Sequence, residues 1–412
     1  MTEEAQAGPF ASFIQKSTKI QPNELRAALL SFAFVFVLMT AYFIMRPVRD
    51  AMSSDWSDAE LSWLWTSTFA FSVVAVSLYG FIISHIPLRR LVPAVYAFFA
   101  ASFVAFYVGS SSVADPTLVD KSFYVWLSVF SLFHVSVFWS FMSGTYSKQQ
   151  APRLFGFIAT GASSGAIMGP LIATAFADKI GSMNMLLVAA ALLLVPIPII
   201  GMLDRLKVTE LGNAGLEADM SAERKLGKNP FAGFTLFLKN PYLLAIGLFI
   251  VFYVIMNTFI YFELRKLLAV FDRDVRTQYF GAIDLAVNSL AIVTAVFATS
   301  RLATRLGMGA TLALVPLLMV GGWLIVAATP VLMVLIGLQV TRRAGNYAIT
   351  RPGREMLFTL VDPETRYKAK PVIDIVIYRG GDMATAWAYT ALTATLGLGL
   401  AGIATIAAGI AV

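Results

Sequence analysis

The sequence predicts an all-α integral membrane protein with twelve transmembrane helices in two halves of six. Three observations predict this class: an apolar composition, twelve apolar segments of sufficient length, and one long basic connection after the sixth segment. Of the 412 residues, 58% are hydrophobic and 13% are charged, whereas a soluble domain is about half apolar and a quarter charged. Apolar segments of roughly 20 residues are therefore the units to count.

A mixed polar tail, residues 1–24, precedes the first helix. The predicted helices lie at 25–47, 60–84, 90–111, 121–144, 153–178, 183–203, 241–262, 277–299, 308–328, 330–351, 370–391 and 393–411. Pro330 separates the ninth helix from the tenth, because proline cannot continue a preceding helix. The polar connection 205–240 divides the N-terminal half (25–204) from the C-terminal half (241–412). Two such halves are typical of transporters with a site near the membrane midplane.

Lys and Arg in the connections predict the orientation of the helices. With the N-terminus inside, the inside connections hold most of the basic residues, including Arg89, Arg224 and Arg366. The outside connections hold mostly single lysines, such as Lys121 and Lys179, although basic clusters follow the first and seventh helices. This asymmetry predicts that both termini lie in the cytoplasm. The expected location of the protein is the cell (inner) membrane. The asymmetry also explains the net charge of +7 without a nucleic acid partner.

Several classes of chemistry are excluded. The absence of cysteine excludes disulfides, thiolate metal sites and cysteine nucleophiles. The sequence has no P-loop, no nucleophile–histidine pair and no metal-ligand cluster. We therefore expect that the protein is not an enzyme and binds no metal and no cofactor. Any transport would be driven by solute gradients or by exchange. The expected partners are the lipid bilayer and a small anionic solute, and the expected state is a monomer.

The tenth predicted helix carries two arginines close to its middle. Arg342 and Asn346 share one face, and Arg343 and Tyr347 form the neighbouring stripe. Counted from Pro330, Arg342 lies about 18 Å along the axis, just inside the midplane. Charge at this depth is kept where it faces a bundle interior or a wet cavity, and the arginine fork matches phosphate or carboxylate. All four residues are candidate substrate-binding residues.

The eleventh predicted helix carries the charges that offer an alternative. Asp374 and Asp382 share a face, and Arg379 stands beside it. Structural pairing of Arg342 and Arg343 with Asp374 or Asp382 is the alternative to substrate binding, and both can hold at different points of a transport cycle. We take Arg379 as a further candidate for substrate binding and both aspartates as candidates for coupling or gating. Asp382 is a candidate carrier of a coupling proton. The alternative is that Asp382 forms a permanent ion pair with Arg379 or Arg342.

The ends of the first and seventh helices predict a gate. Arg46 and Arg49 oppose the positive-inside trend, so they are candidate substrate-binding residues, although interfacial arginines are the alternative. Asp50, Glu263 and Arg265 are the gating candidates, because the first and seventh helices would meet there.

Weaker candidates lie in other helices. Asp284 shares a face with Asn288 in the eighth helix and is a further coupling or gating candidate. For His134 in the fourth helix, a packing role is favoured over a proton relay. Four glycines of the fifth helix are interpreted as small-residue helix packing; they are Gly156, Gly161, Gly165 and Gly169.

One signature lies between the tenth and eleventh helices. It consists of Arg354-Glu355-Met356, Phe358, Asp362, Glu364, Arg366, Lys368, Lys370 and Ile373-Asp374-Ile375-Val376. This stretch resembles the ATP/ADP translocase (nucleotide transporter) family. Similarly, Arg46-Pro47-Val48-Arg49-Asp50 resembles the first-helix signature of the shorter bacterial relatives labelled major-facilitator or nucleotide-exchange transporters. Arg153-Leu154-Phe155-Gly156-Phe157 and Phe138-Trp139-Ser140-Phe141 are similar to the same subgroup.

The resemblance implies a twelve-helix major-facilitator-type fold and transport of nucleotides or other phosphorylated anions, often by exchange. The chain departs from that family in its length, in the arginines of its first helix and in Arg379-Gly380-Gly381-Asp382. The leading hypothesis is a secondary active transporter of an organic anion that works by alternating access. One alternative is proton-coupled uptake or efflux of a different small solute. Another is a non-transporting membrane receptor or assembly protein that docks through 205–240.

Overall fold

The computed structural model describes residues 20–83, 86, 88–147, 149–213, 232–295, 297, 300–358, 361, 369 and 372–411. Within these residues the secondary structure is helical and no strand forms, which confirms the predicted all-α class. The α-helices are α1 (Leu25–Met52), α2 (Asp58–Ile83), α3 (Leu88–Ser112), α4 (Thr117–Thr145), α5 (Ala151–Ile180), α6 (Met185–Leu194), α7 (Pro196–Thr209), α8 (Ala232–Lys239), α9 (Pro241–Leu268), α10 (Arg273–Thr294), α11 (Ser300–Ala328), α12 (Leu332–Gly345), α13 (Arg351–Leu357), α14 (Tyr378–Leu396) and α15 (Leu400–Ala411).

All twelve predicted segments coincide with helices, but several boundaries differ. The first helix continues to Met52, so Arg46 and Arg49 lie within it rather than at its end. The sixth segment is two helices, since Pro196 begins α7. The tenth segment is α12, a π-helical segment (Asn346–Thr350) and α13.

The predicted linker 205–240 holds the end of α7 and all of α8. Its central part, 214–231, lies outside the described residues, as do residues 1–19 of the predicted tail. The helix α9 begins at Pro241, and the side chain of Asn240 accepts hydrogen bonds from the backbone N–H groups of Tyr242 and Leu243. Asparagine before an initial proline is a favoured helix start, because it satisfies N–H groups that have no partner within the helix.

Seven of the described helical stretches are long and apolar enough to cross a membrane. They are Pro22–Asp55, Arg89–Ser112, Thr117–Thr145, Arg153–Ile180, Ser182–Thr209, Pro241–Leu268 and Gly309–Ala328. The other helices that match predicted spans are α2, α10, α12 with α13, α14 and α15. Among these, α10, α12 and α14 carry buried charged residues.

Contacts divide the chain into two compact units. The first unit holds the described residues of Met1–Arg46, Val74–Asp120 and Trp126–Leu226. The second unit holds the described residues of Pro47–Val73, Lys121–Val125 and Gly227–Val412. Parts of α1, α2 and α4 therefore belong to the second unit, together with the helices from α8 onward. The predicted division at the linker stays a prediction.

Within the first unit, α1 and α5 cross at very short distance. A Cβ atom placed on Gly161 would lie 2.6 Å from the backbone oxygen of Phe32, and one on Gly169 would lie 2.7 Å from that of Thr40. A Cβ on Gly165 would overlap the backbone oxygen of Phe36. These three glycines are spaced by four residues and form one face. The packing role predicted for these three glycines is confirmed, whereas the same prediction for Gly156 is wrong, because a Cβ there would meet nothing within 4 Å.

The first unit also brings together the motifs of the fourth and fifth predicted helices. Arg153 forms an ion pair with the buried carboxylate of Glu24 at 2.5 Å. Trp139 and Phe155 lie with their ring centres 5.1 Å apart. After α4 ends, Tyr146 shares a 2.8 Å hydrogen bond with Ser31, and burial raises the pKa of the Tyr146 hydroxyl above its ordinary value. These contacts fix the start of α1 against α4 and α5.

Within the second unit, α9 is the central helix. It packs against α12, α14 and α15, while α10 packs on α12 and α11 packs on α15. A cluster of buried apolar side chains joins α9 to the start of the eleventh span; its members include Ile246, Ile250, Val254, Val372 and Ile373. This packing places polar side chains of α9 beside those of α12 and α14.

Gly165→Ala is expected to lower the free energy of unfolding by about 1–3 kcal/mol, because the added methyl group overlaps the backbone of α1. Gly156→Ala is the matched control. A Cβ on Gly156 would meet nothing within 4 Å, and alanine is favoured over glycine in a helix by about 1 kcal/mol. Thermal unfolding of both purified variants in detergent measures the difference. Equal unfolding temperatures would contradict the close crossing.

Candidate functional site

Arg342 of α12 is almost fully buried, with 1% of its surface exposed. Its Nη2 donates to the side-chain oxygen of Asn257 on α9 at 2.6 Å and to that of Gln339 at 3.0 Å. Its guanidinium carbon lies 5.2 Å from the centre of the Tyr253 ring. Arg342 is ten residues beyond Leu332, the start of α12, which is about 15 Å along the axis and about half of the hydrocarbon core of a bilayer.

All of these partners of Arg342 are uncharged. Among the described residues, Arg342 forms no ion pair with a carboxylate, and its Nη1 has no hydrogen-bond partner. Asp382 of α14 acts on it electrostatically from beyond ion-pair distance. Because guanidinium stays charged at any physiological pH, Arg342 is a buried cation whose hydrogen bonds do not neutralise it.

Arg343 has a different environment, although it is adjacent in sequence. Its Nη1 lies 2.5 Å from a carboxylate oxygen of Asp284 on α10, and both side chains are buried. The sequence predicted Asp374 or Asp382 as the alternative partners of the two arginines, and did not predict this pair. A buried carboxylate at this distance offsets the charge of Arg343, so the structure separates the two arginines into one paired and one held by neutral groups.

The aspartates of the eleventh predicted helix have arginine partners. Asp382 lies 3.9 Å from Arg379, three residues before it, so the predicted alternative pair is present. Asp374 lies 3.3 Å from Arg354 of α13, which was not among its expected partners. We use the name arginine cluster for Arg342, Arg379 and Asp382. With all three ionised, this cluster carries one excess positive charge.

Both predicted helices of the site contain a π-helical segment beside the cluster. Asn346 and Tyr347 begin the segment Asn346–Thr350, and Asp374 lies in the segment Val372–Ile377. Asn346 and Tyr347 are half-buried. Such segments occur frequently at functional sites because they shift side chains relative to a regular α-helix. No residue pattern indicates them in advance, apart from Gly345 and Pro352 near the first segment.

A second constellation lies where α1 ends and α2 begins. Arg265 of α9 is 2% exposed and donates to the backbone oxygens of Ser53 at 3.0 Å and Trp56 at 2.5 Å. It also forms an ion pair with Asp58. The ammonium group of Lys266 lies 2.7 Å from the other Asp58 oxygen. The connection between α1 and α2 is therefore bound by two consecutive basic residues of α9.

Arginines of α10 bind the same connection. Arg276 donates to Asp55 at 2.5 Å and to the backbone oxygen of Phe271 at 2.6 Å. Arg273 lies 2.7 Å from the other Asp55 oxygen. We use the name junction network for Asp55, Asp58, Arg265, Arg273 and Arg276. Because this network contains several ion pairs on one short turn, it fixes the end of α1 to α9 and α10.

Asp50 extends the junction network along α1. Its carboxylate accepts a hydrogen bond from Tyr261 of α9 at 3.2 Å and pairs with Arg49 at 2.6 Å. The guanidinium of Arg49 lies 5.3 Å from the centre of the Tyr124 ring. The first and seventh predicted helices thus meet, as the sequence suggested, but Tyr261 makes the contact to Asp50. Arg49 has a carboxylate partner, unlike Arg342.

Glu263 faces a different helix from the one that the sequence suggested. Tyr389 of α14 donates to its carboxylate at 2.5 Å, and Lys266 donates to the Tyr389 hydroxyl at 3.0 Å. As a gating candidate, Glu263 was expected at the meeting point of the first and seventh predicted helices. It therefore ties α9 to α14.

Two further candidates belong to the first unit. The guanidinium carbon of Arg46 lies 5.8 Å from the centre of the Phe43 ring. His134 stacks on Tyr42 with ring centres 4.4 Å apart, and its Nδ1 lies 3.3 Å from the backbone oxygen of Phe130. This environment agrees with the packing role expected for His134. The signature residues at positions 362–368 and 370 lie outside the described residues.

Residues 27–348 match the family described as Major Facilitator Superfamily, which is more than half of the chain. The chain belongs to the Major Facilitator Superfamily. This membership makes it a multi-pass membrane transporter rather than an enzyme, and it accounts for the predicted twelve-helix fold. Among curated proteins, no relative matches the chain.

Solved transporter structures share the fold of this superfamily member. The nucleoside transporter NupG has a TM-score of 0.64 at 14% identity, over 95% of this chain and 96% of its own. The xylose transporter XylE from E. coli, in its inward open conformation, has a TM-score of 0.61 at 10% identity, over 93% and 94%. A bacterial homolog of the human lysosomal transporter Spinster has a TM-score of 0.55 at 13% identity, over 95% and 92%. Likeness at such low identity shows the fold alone.

Several important residues of this transporter were missed from the sequence. Asn257 and Gln339 were missed because single amides in apolar helices are common, although Gln339 lies three residues before Arg342 and shares its face. Asp55 and Asp58 were missed because acidic residues in a short connection usually face solvent. The available signal was four polar residues of α9 at a spacing of four, which are Tyr253, Asn257, Tyr261 and Arg265.

Arg265→Gln is expected to lower the free energy of unfolding by about 2–4 kcal/mol, because two buried carbonyl groups lose their donor and Asp58 keeps only Lys266 as its cation. Lys121→Gln is the control. It breaks the 2.6 Å pair of Lys121 with Glu60, whose side chain is 46% exposed, and exposed pairs contribute about 0–1 kcal/mol. Thermal unfolding in detergent compares the two. Equally small losses would show that the junction network does not fix the helix ends.

Proposed function

We propose that this transporter is a secondary active transporter that moves an organic anion by alternating access. The observation that carries the proposal is the buried charge of Arg342, which pairs with no carboxylate among the described residues. A guanidinium deep in an apolar protein is costly unless an anion compensates it. Within the described part of the chain, Arg342 donates hydrogen bonds to two amide oxygens, and neither of them carries a charge. A substrate anion would supply the missing charge.

The chemistry of arginine favours a phosphate or carboxylate group on the substrate. The planar fork of arginine binds two oxygens of such a group at once. A nucleotide or another phosphorylated solute is the substrate class that we propose, and the resemblance of the chain to nucleotide exchangers supports it. Asn346 and Tyr347 follow Arg342 in sequence, and Arg379 lies beside Asp382. We propose that these three residues complete the site, while Arg343 is paired with Asp284 and has a structural role.

Exchange is the mode of transport that this charge arrangement favours. When the substrate leaves, Arg342 again lacks a counter-ion, so the empty protein would have to reorient with an uncompensated buried charge. Binding of a second anion from the opposite side removes this cost. We therefore propose obligatory or strongly preferred exchange of one anion for another.

The junction network would act as a gate in this mechanism. We propose that the protein lies in the cell (inner) membrane with its N- and C-termini in the cytoplasm, as the positive-inside rule predicts. The connection between α1 and α2 is then on the outer face. Ion pairs that join α9 and α10 to this connection would hold it closed there, and would break when the outer side opens. Asp50 and Glu263 support the same contacts through Tyr261 and Tyr389.

Arg342→Gln is expected to reduce anion exchange to background in proteoliposomes, because the cation that binds the substrate is lost. Arg342→Lys keeps the charge but loses the planar fork of donors. Because a hydrogen bond to a charged group contributes about 1.5–3 kcal/mol, this variant is expected to lose roughly 10- to 150-fold in affinity. Arg205→Gln, at an exposed position of α7, is the control. Uptake of labelled ATP, ADP and sugar phosphates into preloaded vesicles measures exchange.

Wild-type protein that exchanges none of these anions would contradict the proposal. Arg342→Gln protein that exchanges them at the wild-type rate would remove the role of Arg342 and leave the transport class in place. Correct folding of each variant is checked by its elution as a single species in detergent, so that loss of exchange is not loss of structure.

A second candidate function is proton-coupled transport, which one observation favours. Asp382 is 9% exposed, and its Oδ1 has no hydrogen-bond partner among the described residues. A carboxylate in this position can take up and release a proton as the site changes its exposure to water.

For this candidate, Asp382→Asn is expected to abolish the response of flux to an imposed pH gradient while exchange between equal pH values continues. Asp178→Asn, at an exposed position of α5, is the matched control. The measurement is uptake into vesicles with acidic or neutral interiors. Flux in the wild type that does not change with the gradient would reject proton coupling and leave exchange as the mode.

A further inference from the structure

The two groups that accept hydrogen bonds from Arg342 are both side-chain amides. Asn257 Oδ1 accepts from Nη2 at 2.6 Å, and Gln339 Oε1 accepts from Nη2 at 3.0 Å and from Nε at 3.3 Å. Gln339 is 5% exposed, and Asn257 is half-buried. Asparagine and glutamine have the same shape as aspartate and glutamate, but they carry no charge. The positions would accept carboxylates without a change in geometry.

This choice of amide over carboxylate has an electrostatic consequence. An aspartate at position 257 would keep the hydrogen bond and add a full negative charge 2.6 Å from Arg342. Arg342 would then resemble Arg343, which lies 2.5 Å from Asp284, and would offer little attraction to an external anion. The two amides instead hold the guanidinium in a fixed place while its charge persists.

The other charged groups near Arg342 do not cancel this effect. Asp382 acts on Arg342 electrostatically, but it also acts on Arg379, which lies 3.9 Å away from it. Asp382 is therefore not a partner of Arg342 alone. Tyr253 lies over the Arg342 guanidinium and adds no net charge. The uncompensated charge of Arg342 therefore depends on positions 257 and 339 staying neutral.

We infer that Asn257 and Gln339 determine the sign of the substrate charge: they position Arg342 without neutralising it, so that the counter-ion must come from the substrate. This inference rests on the proposed function, because it assigns residues to the selection of the anion. Asn257 and Gln339 are positioning residues in this account, since they act through Arg342.

The experiment replaces one amide by its isosteric carboxylate. Purified Asn257→Asp protein in detergent is titrated with ATP, ADP and inorganic phosphate as probes, and the shift in its unfolding temperature reports binding. A new negative charge beside the buried cation Arg342 is expected to weaken binding of the anions by about 100-fold. Without ligand, the unfolding temperature of this variant is expected to rise, because Arg342 gains a counter-ion.

The matched control is Asn240→Asp on the same helix. Asn240 caps α9 by accepting from the backbone N–H groups of Tyr242 and Leu243, and aspartate caps a helix equally well. This variant adds the same charge about 25 Å from position 257 along the helix. It is expected to bind and exchange the three probes as the wild type does.

Gln339→Glu is the second variant, and it replaces Asn257→Asp if that protein does not fold. Asn257→Leu removes the acceptor without adding charge, and is expected to weaken anion binding less than Asn257→Asp does. Wild-type anion affinity in Asn257→Asp or in Gln339→Glu would overturn the inference and leave the proposed function standing. A wild-type protein that responds to none of the three anions would overturn both, and the wild-type titration alone distinguishes this outcome.

Discussion

The hydrogen bonds between Arg342 and two neutral amide oxygens are the contacts on which the rest of the site depends. They satisfy part of the guanidinium, so that the arginine keeps one orientation, but they do not supply a counter-charge. A buried cation without a counter-ion is energetically unfavourable, and membrane proteins keep such a charge where it serves function. The position of α9 beside α12 matters for this reason: it brings Asn257 to Arg342.

Two other buried arginines, Arg343 and Arg265, are paired with carboxylate or carbonyl groups instead of neutral amides. Arg343 lies against the carboxylate of Asp284, and Arg265 is surrounded by a carboxylate and two backbone carbonyls. Removing either of these arginines would take a hydrogen bond from a buried acceptor, which is the pattern of a structural contact. The same residue type therefore has two uses in one unit, and the difference lies in the partners rather than in depth or burial.

The sequence predicted the helices because a bilayer fixes their length and composition, and it predicted Arg342, Arg343 and Asp284 because charge is rare in apolar segments. It did not predict their partners, since pairing depends on which helices are neighbours, and that depends on packing along the whole of α9. It missed Asn257 because an uncharged amide does not depart from the apolar background as a charge does. The π-helical segments were missed because they arise from tertiary packing.

The polar stripe of α9 connects the two constellations physically. Tyr253 and Asn257 face Arg342, and Tyr261 and Arg265 face Asp50 and the junction network. Residues spaced by four lie on one face, with about 6 Å of rise per step, so the stripe extends along about 18 Å of one helix. A helix is stiff over this length. Any rotation or shift of α9 that changes the contact of Asn257 with Arg342 must therefore also change the contact of Arg265 with Asp58. The environment of Arg342 and the attachment of the α1–α2 connection to α9 thus change together.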